Sequence, residues 1–148
     1  MEAWVALIGA VAGATIAIAG QYVVRRSEAR ERASTLLLEQ CAQLVALSED
    51  YRNRVWEERH NLSNEAVAAW DLSAYRLAEA RLRLLCRTPS VLSALDNLRR
   101  SGIALGSAWR LSNTESPDVE QAWKVHRDAL NDFIEASSKI VRSRTGVD

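Results

Sequence analysis

The chain has 148 residues, and its 19 basic and 19 acidic side chains give a formal net charge of zero. A chain of this length has room for one modest domain, and without net charge it lacks the global field that attracts nucleic acid, so we expect no nucleic-acid partner. The two cysteines, Cys41 and Cys86, are far apart and no histidine has metal-ligand spacing, so we predict buried, reduced thiols and no metal site.

A run of 22 residues without charge extends from Ala3 to Val24. As an α-helix rising about 1.5 Å per residue, this run has the length of a bilayer's hydrocarbon core, which is about 30 Å thick. Trp4 and Tyr22 stand near its ends, where amphipathic rings favour the headgroup layer. We therefore predict that residues 1–24 form a transmembrane segment.

The charges that flank this run predict its direction. Only Met1 and Glu2 precede it, whereas arginines follow it closely. Because positively charged flanks stay in the cytoplasm, we expect the N-terminus outside and the rest of the chain at the cytoplasmic face of the inner (plasma) membrane. The residues that determine this topology are Arg25, Arg26, Arg30 and Arg32.

Two other interpretations of the run are open. Ala17 and Ala19 resemble the small residues of a signal-peptide cleavage site, which would make the chain a secreted helical protein. However, the run lacks a preceding positive charge and has positive charge on its far side. The run could also be a buried helix of a soluble protein, but such apolar runs usually have about 10–14 residues. We therefore favour the uncleaved anchor.

Small residues recur on one face of the predicted span. Gly9 and Gly13 form a GxxxG motif, and Ala17 continues the same face one turn later. Such a face lets two helix backbones approach closely and gain dispersion contacts that lipid does not supply. We predict that Gly9, Gly13 and Ala17 mediate helix association in the membrane, which would make the protein a homo-oligomer.

Residues 25–144 are predicted to form a cytoplasmic antiparallel bundle of about four helices, with a frayed end at 145–148. Glu28 and Arg32 are spaced for an i,i+4 pair, so the first helix should continue outward from the span without a break. It is predicted to end near His60. Its apolar seam repeats at spacings of four and three and consists of Leu37, Cys41, Leu44, Ser48, Tyr51 and Val55.

The second helix is predicted from about residue 64 to residue 87, ending before Pro89, which suits the first position of a third helix. Its predicted inner face consists of Val67, Trp70, Ala74, Leu77, Ala80 and Leu84. The third helix should span about 89–111. Gly102 and Gly106 within it indicate either a close approach by another element or a bend, and we expect the bend.

The fourth helix is predicted to begin at Pro117, after Ser116 as N-cap, and to end near Arg144. Its predicted inner face consists of Val119, Trp123, His126, Leu130, Phe133, Ser137 and Ile140. All these segments have the helical period, and no strand-like alternation is present, so the predicted fold class is all-α.

No catalytic constellation can be placed. His126 lies on the predicted apolar face of the fourth helix, where a core histidine is expected, and His60 lies at a helix end. Adjacent Glu57 and Glu58 point about 100° apart on a helix and cannot share a proton. The common nucleotide, hydrolase and metalloprotease motifs do not occur. We expect neither an enzyme nor a cofactor.

The tryptophans after residue 24 occur one per predicted helix, at Trp56, Trp70, Trp109 and Trp123. Large rings at this frequency are typical of a shared core. Trp56 stands in the charged stretch RVWEER and is the predicted exception: an exposed ring that contacts a partner.

These observations predict a single-pass membrane-anchored helical interaction or scaffold protein that acts through protein–protein contacts or self-association. The alternative is an oligomerising effector whose Gly/Ala-rich span perturbs the membrane. The identity of the protein partner does not follow from the residues.

Overall fold

The computed structural model describes the backbone of residues 2–60, 65–111 and 117–145, and the side chains of residues 21–60, 65–111, 117–140 and 142. Within these residues the fold is all-α, as predicted, with four helices and no strand. The helices are α1 (Glu2–Arg59), α2 (Leu72–Leu85), α3 (Pro89–Leu111) and α4 (Pro117–Thr145). The chain divides into two compact units, Met1–Thr35 and Leu36–Asp148.

The predicted transmembrane segment receives no support from the structure. Among the described residues, no helix has the length and apolar character that crossing a bilayer requires. The side chains of Trp4, Gly9, Gly13 and Ala17 lie outside the described residues.

The seam predicted for α1 is confirmed by its burial. All six of its residues, from Leu37 to Val55, are buried, and Leu44 and Val55 are at most 1% exposed. Fully burying one such side chain contributes about 1.5–3 kcal/mol, so this seam is a main source of stability. The predicted end of this helix, near His60, also agrees with the observed end at Arg59.

The bounds predicted for α3 agree with the structure, and those predicted for α4 differ by one residue at its end. The two helices pack against each other. The larger hydrophobic cluster of the second unit combines Leu37, Cys41 and Leu44 of the α1 seam with inner residues of the other three helices, among them Ala78, Leu82, Val91, Leu95, Leu98, Leu130 and Phe133. Tyr51 and Val55 pack with Leu105 in a smaller cluster.

The second helix differs from its prediction in both start and face. It begins at Leu72 rather than near residue 64, because Asp71 caps it: the Asp71 carboxylate accepts a hydrogen bond from Ala74 N–H at 2.8 Å. Residues 65–71, which we call the 65–71 segment, form turns instead. Side chains of α1 satisfy backbone groups of these turns, since Arg54 donates to the Ala66 carbonyl and Val67 N–H donates to Glu58.

The buried face of α2 consists of Tyr75, Ala78 and Leu82. Leu77 and Leu84, which the periodicity had placed inside, are 50% and 84% exposed. The prediction was wrong because α2 has apolar residues on two faces, so the helical period alone permits two orientations.

Candidate functional site

A cleft of about 770 Å³ opens on the second compact unit. Its walls come from the end of α1, the 65–71 segment, α2 and α3, and His126 of α4 contributes to its floor. This volume lies within the range of small-molecule sites, which is about 300–1,000 Å³. The cleft therefore has the size of a small-molecule binding site.

Aromatic rings form one wall of the cleft. The ring centroids of Tyr51 and Trp70 are 4.7 Å apart, those of Trp70 and Tyr75 are 5.5 Å apart, and Tyr51 meets His126 edge-on at 6.2 Å. Trp70 is anchored because its indole N–H donates to the Leu47 carbonyl at 2.9 Å. Burial raises the pKa of Tyr51, and it raises the pKa of Tyr75 to about 12, so both phenols are neutral at physiological pH. The wall is therefore apolar, uncharged and fixed in place.

His126 is buried at the floor, only 2% exposed, as predicted for a core histidine. Its Nδ1 lies 2.9 Å from the Ser101 hydroxyl, and this hydroxyl donates to the Leu98 carbonyl at 2.8 Å. Which of the two groups donates in the contact between His126 and Ser101 depends on the tautomer of the ring. Burial lowers the pKa of His126 to about 4; a hydrogen bond with the Ser48 backbone opposes this shift, and the charge of Arg52 adds a smaller lowering. The floor is thus neutral at physiological pH.

Two buried polar atoms beside the cleft have no hydrogen-bond partner among the described residues. They are Ser48 Oγ and His126 Nε2, and both of these residues line the cleft. Leaving a buried polar atom unpaired costs about 1–3 kcal/mol. Such atoms are expected where something else completes the bonding.

Arginines surround the opening. Arg83 forms salt bridges with Glu79 at 2.8 Å and with Asp96 at 2.6 Å, and its guanidinium lowers the pKa of the exposed Asp96 carboxyl. Three more arginines line the cleft, are exposed, and form no salt bridge within the part of the chain that the structure describes. These are Arg76, Arg99 and Arg110.

Gly106 lies in the cleft wall where Tyr51 reaches α3. A Cβ at Gly106 would stand 2.6 Å from the Tyr51 hydroxyl oxygen, closer than van der Waals contact allows. A Cβ at Gly102 would meet His126 Cε1 at an ordinary 3.5 Å. The close approach of Tyr51, rather than the expected bend, therefore explains why position 106 is a glycine.

A second feature lies on the outer face of α2. Leu77 and Leu84 stand seven residues apart, and so lie on one side of the helix, and both are exposed. We call this pair the α2 ridge. Arg76 and Arg81 are exposed on the same helix and, among the described residues, form no salt bridge.

The predicted partner contact, Trp56, is 46% exposed, as expected from its charged surroundings. Its ring stacks on His60 at 4.2 Å, and His60 Nδ1 lies 2.8 Å from the Trp56 carbonyl. Trp56 does not line the cleft. Its role in partner binding stays a prediction.

The other predicted site residues lie in the first compact unit. Arg25, Arg26, Arg30 and Arg32 are exposed, and Arg32 pairs with Glu28 at 3.5 Å as the spacing indicated. Gly9, Gly13 and Ala17 belong to the part of α1 whose side chains are not described.

The two cysteines are buried, as predicted, and both are free. Burial raises the pKa of Cys41, so this thiol stays protonated at physiological pH. Among the residues that the structure describes, no group of histidine, cysteine and carboxylate side chains is placed to hold a metal ion.

Sequence reasoning missed the cleft although one signal was available. Residues 72–111 contain seven arginines and two acidic residues, an imbalance hidden by the neutral total. Tyr51 and His126 were placed correctly in the interior, but nothing in their spacing indicates that a cleft reaches them.

Comparison with family models, curated proteins and solved structures found no significant match to this chain.

Proposed function

We propose that the chain is a single-pass membrane protein that holds a partner protein at the cytoplasmic face of the inner membrane. The anchor is supported by the sequence, through the uncharged run from Ala3 to Val24 and the arginines that follow it. A binding role rather than catalysis is supported by the lack of common catalytic motifs in the sequence.

The observation that carries this proposal is the α2 ridge. Leu84 is 84% exposed and Leu77 is 50% exposed, although α2 already buries a complete apolar face on its other side. Exposed leucines at heptad spacing are typical of a helix that receives another helix. The ridge therefore supplies an anchoring surface for an amphipathic partner segment.

Charge favours a different protein over a second copy of α2. Between Leu72 and Leu85 the helix has three arginines and one acidic residue, Glu79, which is already engaged by Arg83. Two such helices packed together would bring like charges close, which is destabilising. The expected partner segment has leucine-like anchors flanked by Asp or Glu.

The test is site-specific photocrosslinking in intact membranes from position 77 or 84. Position 131, which is Asn131 on exposed α4 surface, provides the matched control. We expect one partner protein to be captured from both ridge positions and not from position 131, with the crosslink in an acidic amphipathic segment. Leu84→Glu should abolish capture from position 77, and Leu77→Glu should abolish capture from position 84, while helicity by circular dichroism is unchanged.

Equal capture from position 131, or capture that survives substitution of the other ridge leucine by Glu, would contradict the ridge as the binding surface. If the only protein captured is a second copy of this chain, the ridge serves self-association instead.

A second candidate function is favoured by the small-residue face of Gly9, Gly13 and Ala17. A span that associates through this face could perturb the membrane as an oligomer. Overexpression should then be toxic, and Gly9→Ile or Gly13→Ile should relieve the toxicity, because a branched side chain prevents close helix contact. Harmless overexpression of the unmodified chain argues against this candidate.

A further inference from the structure

The side chains that line the cleft change from positively charged at its opening to neutral and aromatic at its floor. Arginines without a salt bridge to the described residues stand at the opening, whereas the aromatic wall and the neutral His126 form the interior. A bound molecule with one anionic end and one apolar end would match both regions in a single orientation.

The opening is suited to an anion. Arg76, Arg99 and Arg110 line it, are exposed, and form no salt bridge within the described residues. A guanidinium group offers a planar pair of donors that fits a carboxylate in bidentate geometry. The only acidic residue lining the cleft in the described part of the chain, Glu79, is already held by Arg83.

The interior is suited to an apolar body of modest size. Leu98 is buried against it, Ile103 is 59% exposed beside it, and the Tyr51 and Trp70 rings present a fixed surface. The volume of about 770 Å³ fits a small molecule.

The unpaired buried atoms are a second and independent observation that points to a ligand. Ser48 is 1% exposed and His126 is 2% exposed, both line the cleft, and each has one polar atom without a hydrogen-bond partner among the residues that the structure describes. A small side-chain shift on binding would let a ligand complete bonds that the described residues leave open.

We infer that this cleft binds a small organic anion, an aromatic or otherwise apolar body with a carboxylate at the end that faces Arg99 and Arg110. This inference is independent of the α2 ridge and of its protein partner.

The test uses the full chain in lipid discs of zwitterionic phosphatidylcholine, with empty discs as the blank. The probe is naphthalene-2-carboxylate, and its matched control is naphthalene-2-carboxamide, which has nearly the same shape without the charge. Equilibrium dialysis should show the carboxylate binding about tenfold or more tightly than the carboxamide, with an affinity that falls as salt rises.

Two substitutions and one control substitution locate the binding. Arg99→Gln should weaken carboxylate binding about fivefold or more, because one charge-assisted contact is lost. Arg100→Gln is the matched control, since Arg100 is the next residue, is exposed and donates to Asn97 instead of lining the cleft; it should leave the affinity within about twofold. Ile103→Trp should reduce binding of both probes by filling the cleft.

The inference is overturned if neither probe binds, if the two probes bind equally, or if Arg99→Gln and Arg100→Gln have the same effect. Because the substituted arginines are exposed, circular dichroism should show unchanged helicity and so exclude loss of folding as the cause.

Discussion

The Tyr51 hydroxyl closely approaches the α3 backbone at Gly106. A methyl group at Gly106 would stand 2.6 Å from the Tyr51 hydroxyl oxygen, and Tyr51 is held between Trp70 and His126. We expect Gly106→Ala to lower the free energy of unfolding by about 1–3 kcal/mol, although alanine is the better helix former. Thermal unfolding of the full chain, followed by near-ultraviolet circular dichroism, measures this change.

Two controls separate the clash from a general effect of substitution. Gly102→Ala meets only an ordinary contact at 3.5 Å, so it should be neutral or stabilising. In a Tyr51→Phe chain the nearest remaining ring atom is 3.8 Å from the added carbon, so Gly106→Ala should cost little there. An undiminished loss in that chain would show that the hydroxyl contact is not the cause.

His126 predicts a dependence of stability on pH. Burial holds its pKa at about 4 in the folded chain, against about 6.5 when unfolded. Between these values the unfolded chain binds more protons, so stability rises with pH and is lost as pH falls from about 6.5 to 4. From pH 7 to pH 5 this one group should remove on the order of 2 kcal/mol.

The measurement compares thermal unfolding at pH 7 and pH 5 for the unmodified chain and for His126→Gln. The substituted chain is expected to be less stable at pH 7, because its contacts in the interior are altered, but to lose less stability on acidification. If both chains lose the same amount, groups other than His126 govern the acid response.

The observed orientation of α2 and the orientation that its periodicity indicates predict opposite effects of leucine substitutions on stability. Leu82 is completely buried, whereas Leu84 is 84% exposed. Leu82→Ala should therefore cost about 2–5 kcal/mol of unfolding free energy, and Leu84→Ala should change it by about 0.5 kcal/mol or less. Thermal unfolding of the two variants, measured side by side, shows which leucine is buried. A larger loss of stability for Leu84→Ala than for Leu82→Ala would contradict the orientation described here.

The same helix shows what could be predicted from the sequence and what could not. The seam from Leu37 to Val55 and the inner face of α4 were predictable because most of their large apolar residues recur on one side at helical spacing, with Val125 and Ile134 of α4 among the exposed exceptions. In α2 they lie on two sides, and the choice depends on Asp71 as the cap and on contacts from α1. Those contacts join residues far apart in the chain, and helical periodicity has no information about them.

The candidate site was less predictable than the fold. Trp56 was correctly expected to be exposed, and His126 to be buried. The cleft depends on how the 65–71 segment folds and on which arginines lack an acidic neighbour in space. Both are properties of tertiary packing, so sequence spacing alone indicated neither.

For the whole molecule, the proposed anchor predicts a defined topology. With the N-terminus outside, protease added to intact spheroplasts should leave residues 36–148 undigested, and digestion should follow only after lysis. A chain lacking residues 1–35 should retain its helicity, since residues 36–148 form their own compact unit, but should leave the membrane fraction. Digestion of this unit from outside, or membrane sedimentation of the shortened chain, would contradict the proposed anchor.

The hydrogen bond of 2.8 Å from Val67 N–H to the Glu58 carboxylate shelters an amide that belongs to no helix. Exchange of this amide with deuterium therefore reports the docking of the 65–71 segment rather than the opening of a helix. The same carboxylate accepts a hydrogen bond of 2.9 Å from the Trp109 indole. Undocking of the segment would therefore give two signals, faster deuterium exchange at the Val67 amide and a change in Trp109 fluorescence. Since Glu58 accepts both hydrogen bonds, these signals together report local opening beside the cleft.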